Sequence, residues 1–445
     1  MPVDFRVRDF AYPAGILRLR RFFEKSQWLP PERLRAYQEE RLRRVIHQAY
    51  HQVPYYRRIF DENRLKPRDI RSIRHLRKLP RLSRESVRAN YHQLRADNAK
   101  SFRPAEAHTS GTSGTPLTFL VDRPSNILEF VYYWRHWSWA GYQLGDCCAQ
   151  VRYDYFIRRK ETLRNPWHFQ PHTRRLLLNS LRISREEIGE FARALRKYRP
   201  RFIHSRPSNL YCIALFLREQ RLDDIAFRAV FSSGETITPR YREMIESTFS
   251  CKALDTYSHM ERCIAVSQCP EGGYHLHSEY GLLELADEVK GEDGVRTGRV
   301  VCTSLHKMAM PFLRYQIEDF LELYDDEKRC PCGRTLPMVK AIHGRTRPVI
   351  MTPEGRPITS LFGPFYAVSG VRFFQYIHDK PDLLIVRIVR GDAFTSQTEE
   401  KLKFWLREFA GDGMRFRLEY VAEEDLERDS LGIIQPVISR VEGWL

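Results

Sequence analysis

Apolar residues recur at helical spacing in IGEFARALRKY, which puts Ile188, Phe191, Ala192, Leu195 and Tyr198 on one face. The apolar run Phe202 to His204 then predicts a short strand, SRPS a loop, and NLYCIALFLREQ a second helix. RAVF, Arg228 to Phe231, predicts a strand that ends in SSGE; YREMIESTF predicts a helix; ALDTY, Ala253 to Tyr257, predicts a strand running into SHMER. A β-loop-α-β-loop-α-β order is most simply satisfied by a parallel sheet, because parallel strands need a crossover connection. Ligands of such sheets sit beyond the carboxyl ends of the strands. SRPS, SSGE and SHMER all fall there, which marks these loops for binding.

The pattern changes after about residue 280. YGLLELA, RVVCTSL and LRYQIEDFLELY read as strands, and a charged segment containing IHGRTRP follows. Beyond it VRFFQYIHD, LLIVRIVRG, a helix around EEKLKFWLREFA, and FRLEYVAEE predict a small α+β domain. The expected division is a large domain over 1–342 and a small, mobile one over 343–445. Near the start, Tyr12 to Leu29 has the spacing of a basic amphipathic helix, and LRRVIHQAYHQVPYYRRIFDE is helical with a break at Pro54. The aromatic-dense run Phe130 to Tyr142 suits a buried helix or a pocket wall, the former being the commoner use of such density.

A hydrophobic content of 42% with 12% aromatics places the chain among globular proteins rather than disordered ones. No run of eighteen apolar residues is present, so no membrane-spanning helix is expected. The opening MPVDFRVRDF lacks the apolar centre of a secretory signal, and the nine cysteines have no disulfide-framework spacing. Both point to a reducing, cytoplasmic setting. The net charge of +17 suits a phosphate-bearing partner: a nucleotide, CoA, nucleic acid or an anionic membrane surface. No nucleic-acid-binding motif accompanies the charge, which argues against nucleic acid, while the basic Tyr12–Leu29 segment leaves peripheral membrane contact open. The plain alternative is a solvated arginine-rich surface.

HTSGTSGTPLTF, His108 to Phe119, crowds glycine and hydroxyl residues without a charge. Gly111 and Gly114 allow backbone N–H groups to turn toward one point, and Thr109, Ser110, Thr112 and Ser113 add donors. Such a loop can cradle anionic oxygens. It is not a Walker A loop, and taken alone it also reads as an ordinary turn.

The loop resembles the phosphate loop of the adenylate-forming superfamily of acyl- and aryl-CoA synthetases. AYHQVPYYRRIFDE, DIRSIRHLRKLPRLSRESVRANY, the loop, FSSGETITP, DTYSHMER, TSLHKMAMPFLRYQIEDF and CPCGRTLP, in that order, resemble the phenylacetate–CoA ligase family and its capsular-polysaccharide-associated branch. The resemblance implies an α/β fold with parallel-sheet subdomains, a strand-rich subdomain and a small α+β C-terminal domain. It implies a two-step reaction: a carboxylate attacks the α-phosphate of ATP to give an acyl-adenylate and pyrophosphate, and CoA, an amine or a carrier then takes the acyl group. By the same resemblance Thr109, Ser110, Gly111, Thr112, Ser113, Gly114 and Thr115 would hold the β- and γ-phosphates. Ser233, Gly234 and Glu235 would wall the adenine, with Asp255 accepting from its amine. Glu261 would coordinate Mg²⁺, Asp319 would grip the ribose hydroxyls, and Tyr257 would border the acid. The first step needs positioning and charge neutralisation rather than an acid or base, since the carboxylate is already a nucleophile.

Cys330 and Cys332 in CPCGR, with Cys269 and either His275 or His277 in CPEGGYHLH, make up a Cys₃His donor set of the kind that holds a structural zinc ion. His275 is the preferred imidazole, and relatives show a similar constellation. The isolated reading is a set of ordinary buried cysteines.

The sequence departs from the family at three points. Thr115 stands where many relatives carry lysine. The hinge reads Gly344-Arg345-Thr346-Arg347-Pro348 without its acidic residue, and Pro348 stiffens it. Ile433 takes the place of the C-terminal lysine that bridges carboxylate and phosphate, and no lysine follows Lys403. Arg345, Arg347 and Arg440 are the candidate replacements, Arg345 being carried as the catalytic cation. These departures motivate an alternative: a degenerate relative that acts as an acyltransferase or ligand-binding protein.

Overall fold

The computed structural model describes residues 13–441, apart from 109–116, 158–161, 292–293, 326–327, 344–349, 354–356, 359–360, 362, 367, 369, 412 and 429–433. The described residues fall into two compact units, each assembled from separate stretches of chain. The first takes the described residues of 13–108, 117–143 and 254–343; the second takes those of 144–253 and 350–441.

In the first unit Pro31–Gln52 and Pro54–Glu62 form successive helices, each with proline in its first turn, where the missing N–H has no intrahelical partner to lose. Pro54 therefore starts a helix as well as ending one. The Pro13–Ser26 helix buries Ile16 and Phe23 and packs on the Arg123–Trp139 helix, while Leu17 and Trp28 stay exposed. The Arg123–Trp139 helix is capped by Asp122, which accepts from the Ser125 N–H at 3.1 Å. Its aromatic run is core rather than pocket: Tyr132, Tyr133 and Trp137 are buried. Arg135 on this helix is also buried. It pairs with Glu279 at 2.6 Å and donates to the Phe23 carbonyl at 3.1 Å, so its charge is matched.

Antiparallel strands complete this unit, in the spatial order Gly281–Lys290, Arg296–Ser304, Tyr315–Leu323, Met338–His343, Tyr274–Leu276, Ala265–Gln268 and Ala253–Ser258. The first four of these are the strand-rich region expected after residue 280; the three that precede residue 280 extend it. Gly281 is required here, because a Cβ at that position would lie 1.7 Å from the Cys263 carbonyl oxygen.

In the second unit the order Ala229–Ser233, Phe202–Ser205, Cys148–Arg152, Arg175–Asn179 is parallel throughout, and Trp167–Gln170 adds an antiparallel edge. The crossovers include the helices Ile188–Tyr198 and Pro207–Glu219, as the periodicity predicts. Ile188, Phe191, Ala192 and Leu195 are all buried against this sheet, and Tyr198 stacks on Phe169 with ring centroids 4.0 Å apart. The carboxyl ends of Phe202–Ser205 and Ala229–Ser233 run into Arg206 and Gly234.

The C-terminal stretch of the same unit has a core of its own. Strands Val371–Lys380 and Leu383–Arg390 pair antiparallel, Arg415–Tyr420 and Val437–Ser439 join them in parallel, and the Ser396–Ala410 helix covers one face. Phe409 on that helix meets Tyr153 at a centroid distance of 5.1 Å.

Candidate functional site: two neighbouring carboxylates and a cysteine cluster

The strand Ala253–Ser258 delivers Asp255 and Tyr257 and ends at a tight turn. Arg262 closes the turn with φ +57°, its N–H donating to the His259 carbonyl at 2.9 Å. Glu261 lies inside the turn and is only 5% exposed. Its Oε1 accepts from the Tyr315 hydroxyl at 2.9 Å and its Oε2 faces His259 Nδ1 at 3.2 Å. Burial pushes the Glu261 pKa up, but the hydrogen bond and charge of His259, with the charge of Arg84, outweigh it and bring the carboxyl down to about 2. Burial likewise opposes a proton on His259, and the Glu261 bond and charge overcome it, so that pKa rises. Glu261 is thus a fixed anion.

Tyr257 donates its hydroxyl to Asp319 Oδ2 at 2.8 Å. Burial, then the Asp319 charge, pushes the phenol pKa well up, which keeps the hydroxyl a donor. The charges of Glu261 and Asp319 both act on Tyr257 and on His259, so the two carboxylates expected to serve one nucleotide share one locality. Asp255 is buried and accepts from the Tyr274 hydroxyl at 3.1 Å.

Sequence patterns passed over Lys307. It is fully buried, its ammonium donates to the Glu261 carbonyl at 3.1 Å, and it lies 4.0 Å from the Phe312 ring centroid and 4.8 Å from that of Phe119. Burial lowers its pKa. A lysine directly before the apolar run Met308–Met310 was the available signal. His259 and Tyr315 were also passed over, since nothing in the spacing of SHMER or RYQIED ties them to Glu261.

In the second unit Ser233 Oγ lies 3.0 Å from His204 Nε2. Gly234 is exposed with φ +85°, and a Cβ there would meet nothing within 4 Å, so the backbone presents an open face. Glu235 turns away from that face: its Oε2 accepts from the Ser208 N–H at 3.3 Å, at the start of the Pro207–Glu219 helix, and Arg206 lies 3.9 Å from its other oxygen. The loop Thr109, Ser110, Gly111, Thr112, Ser113, Gly114, Thr115 lies outside the described residues, as do Arg345, Arg347, Pro348 and Ile433. Arg440 is held by Asp379 at 2.9 Å and by Glu427 at 2.7 Å.

Cys269, His275, Cys330 and Cys332 converge, with all their donor atoms within 4.8 Å of one another. Cys269 Sγ lies 3.6 Å from Cys330 Sγ, and Cys332 Sγ lies 3.3 Å from His275 Nε2. His275 Nδ1 faces the Leu336 carbonyl at 3.4 Å, which turns Nε2 toward the thiols. Burial lowers the His275 pKa to about 4, so the imidazole is neutral, as a metal ligand must be. Gly273 makes room: a Cβ there would sit 2.8 Å from Cys330 Sγ. His277 belongs elsewhere, bonded through Nε2 to Ser267 Oγ at 2.8 Å and through Nδ1 to Arg135. The donor set therefore fits a tetrahedral thiolate-rich ion.

No family model matches the chain. Solved structures show the fold, which is that of adenylate-forming ligases. It is similar to 2-hydroxyisobutyryl-CoA ligase in complex with its acyl-AMP and CoA in the thioesterification state, with TM-score 0.58, 19% identity, and 93% and 91% of the two chains covered. The same enzyme in the postadenylation state gives TM-score 0.56, 18% identity, and coverage of 93% and 90%.

Within that class the sequence is similar to phenylacetate–CoA ligases and to the protein CapK. The match to the Thermus thermophilus phenylacetate–CoA ligase runs over 341 residues at 26% identity, 72% of each chain. The match to CapK of Staphylococcus aureus runs over 377 residues at 21% identity, 82% of this chain and 81% of CapK. Among the described residues no helix is long and apolar enough to cross a membrane.

Proposed function

We propose that the protein activates a carboxylic acid with Mg·ATP as an acyl-adenylate and then passes the acyl group to CoA or another acceptor. The observation that carries this reading is the convergence of Glu261 and Asp319, in register with the family's motifs, on a fold shared with adenylate-forming ligases. Glu261 is the metal carboxylate: its low pKa keeps it anionic at any working pH, and hard Mg²⁺ takes oxygen donors. Tyr315 and His259 orient it. Asp319 is the ribose acceptor, and Tyr257, by holding one of its oxygens, fixes the direction of the carboxylate. Asp255 is assigned the adenine amine. The phosphate roles of Thr109–Thr115, the adenine wall of Ser233–Glu235 and the cationic role of Arg345 rest on motif resemblance alone.

Adenylation proceeds by in-line attack of a substrate carboxylate oxygen on the α-phosphorus, with the bond to the β-phosphate oxygen breaking and pyrophosphate leaving. No proton moves. The protein's task is to hold the reacting groups in line and neutralise charge. Mg²⁺ on Glu261 would supply part of that neutralisation. Zinc in the Cys269, His275, Cys330, Cys332 set is assigned a structural role: it would pin the Cys269–Gly273 turn to the Cys330–Gly333 turn, and four protein donors leave no position for substrate. Carboxylate-dependent exchange of pyrophosphate into ATP, over a panel of aryl and acyl acids, tests the reading. Exchange with none of them, in folded protein that binds Mg·ATP, would favour the degenerate alternative that Ile433 motivates.

A further inference from the structure

Cys263 and Cys302 are fully buried, and neither has a part in the chemistry above. Their sulfurs and a ring nitrogen of His259 all lie within 4.8 Å of one another. Cys302 Sγ is 3.9 Å from His259 Nε2. Cys263 points at the Glu261 carbonyl at 3.6 Å and Cys302 at the Tyr315 carbonyl at 3.3 Å, and the two thiols also bond to each other.

Three features distinguish this cluster from two cysteines that merely fill space. Glu261 holds His259 through Nδ1 at 3.2 Å, which directs Nε2 toward the sulfurs; carboxylate–histidine pairs orient metal-bound imidazoles in this way. The donors stand on rigid supports: Cys302 within the strand Arg296–Ser304, His259 and Cys263 on either side of the tight turn, with the Cys263 carbonyl pressed against Gly281. Finally, two sulfurs and one imidazole are soft donors, suited to zinc-class ions rather than to the magnesium that oxygen ligands select.

We propose that Cys263, Cys302 and His259 form a second thiophilic metal site, separate from the Cys269 cluster, with Glu261 as the carboxylate that positions its histidine. Binding of a divalent zinc-class ion replaces two S–H protons, and the Nε2 proton of His259 when the ring is charged, with metal–ligand bonds, and the displaced protons go to solvent. The His259 Nε2 lone pair supplies the third donor and gives up its 3.4 Å contact with the Ile264 N–H. Three protein donors leave the fourth coordination position to water. The site abuts the carboxylate assigned to Mg²⁺, so an ion here would draw on Glu261. That consequence depends on the nucleotide reading; occupancy does not.

The test is therefore read on the metal. Full-length protein is loaded with cadmium and examined by cadmium NMR and by metal content. The expected result is a resonance in the three-sulfur, one-nitrogen range from the Cys269 cluster and a second, separate resonance in the two-sulfur range. Cys302→Ser removes the second and leaves the first. Glu261→Gln weakens occupancy of the second by about 10- to 100-fold, as loss of an orienting partner does. A wild-type spectrum with only the three-sulfur resonance overturns the proposal without recourse to any variant. So does a two-sulfur resonance that survives Cys302→Ser.

Discussion

The Tyr257 hydroxyl donates to Asp319 at 2.8 Å, joining two strands that are not neighbours in their sheet. One oxygen of the aspartate is thereby anchored, and the carboxylate plane is set before any ligand arrives. Tyr257→Phe removes a hydrogen bond to a charged group, worth roughly 1.5–3 kcal/mol where it is made. Part of that loss appears in binding. Affinity for Mg·ATP, measured by titration calorimetry, is expected to fall roughly tenfold, equivalent to about 1.4 kcal/mol. Asp319→Asn should weaken it further. Unchanged affinity in both variants would remove Asp319 from the nucleotide site.

Glu261→Gln keeps the shape and the Tyr315 contact but loses the anion. The Mg²⁺ dependence of pyrophosphate exchange should shift to higher concentration by at least about tenfold, since hard cations are held by carboxylate charge. The melting temperature tells a second story: a neutral partner no longer raises the His259 pKa, so stability near neutral pH should change together with the metal dependence.

The Cys269 cluster predicts zinc in purified protein, at one ion per chain when the second site is empty. Chelation, or Cys330→Ser, should strip it and lower thermal stability. A ligand present at about a thousandfold above its Kd adds about 4 kcal/mol to folding, and that contribution would vanish. Protein purified without metal and melting identically with and without zinc would refute the structural role.

Buried neutral histidines set the acid limit. His306 donates from Nε2 to the Glu279 carbonyl at 2.9 Å and faces the Arg41 guanidinium through Nδ1 at 3.3 Å; burial, then the Arg41 charge, lowers its pKa to about 3. His136 is lowered to about 3, chiefly by burial. An unfolded chain takes up these protons below about pH 6.5, whereas the folded one does so only near 3. Stability is therefore complete above the unfolded value and declines as pH falls from about 6.5 toward 3, with a slope of at most about 1.4 kcal/mol per pH unit for each such histidine. Urea unfolding at pH 7, 6 and 5 measures the slope. His306→Gln, which retains a donor and an acceptor, should flatten it even if it lowers stability at pH 7.

Ile433→Lys restores the cation of relatives. If Ile433 limits adenylation, pyrophosphate exchange should rise by about 10²-fold or more, the usual value of one preorganised donor at developing charge. No gain, in protein that folds, would direct attention to an arginine such as Arg345.

Local pattern was sufficient for much of this protein. The 3.6 periodicity of Ile188–Tyr198 and the apolar runs at Phe202 and Ala229 made the parallel sheet legible, because a helix face and a strand are both encoded in neighbouring residues. Motif order singled out Glu261 and Asp319, which the fold brings into one locality, and the donors of the cysteine cluster, which converge with His275 rather than His277. Spacing could not reveal what surrounds Glu261. Tyr315 is 54 residues away, Lys307 is 46, and Cys302 lies on yet another strand; each reaches the carboxylate or its turn only when the strands pair. Side-chain orientation, burial and the balance between desolvation and charge arise from that packing. They decide that Glu261 is anionic, that Tyr257 remains a donor, and that Cys263 and Cys302 lie beside His259.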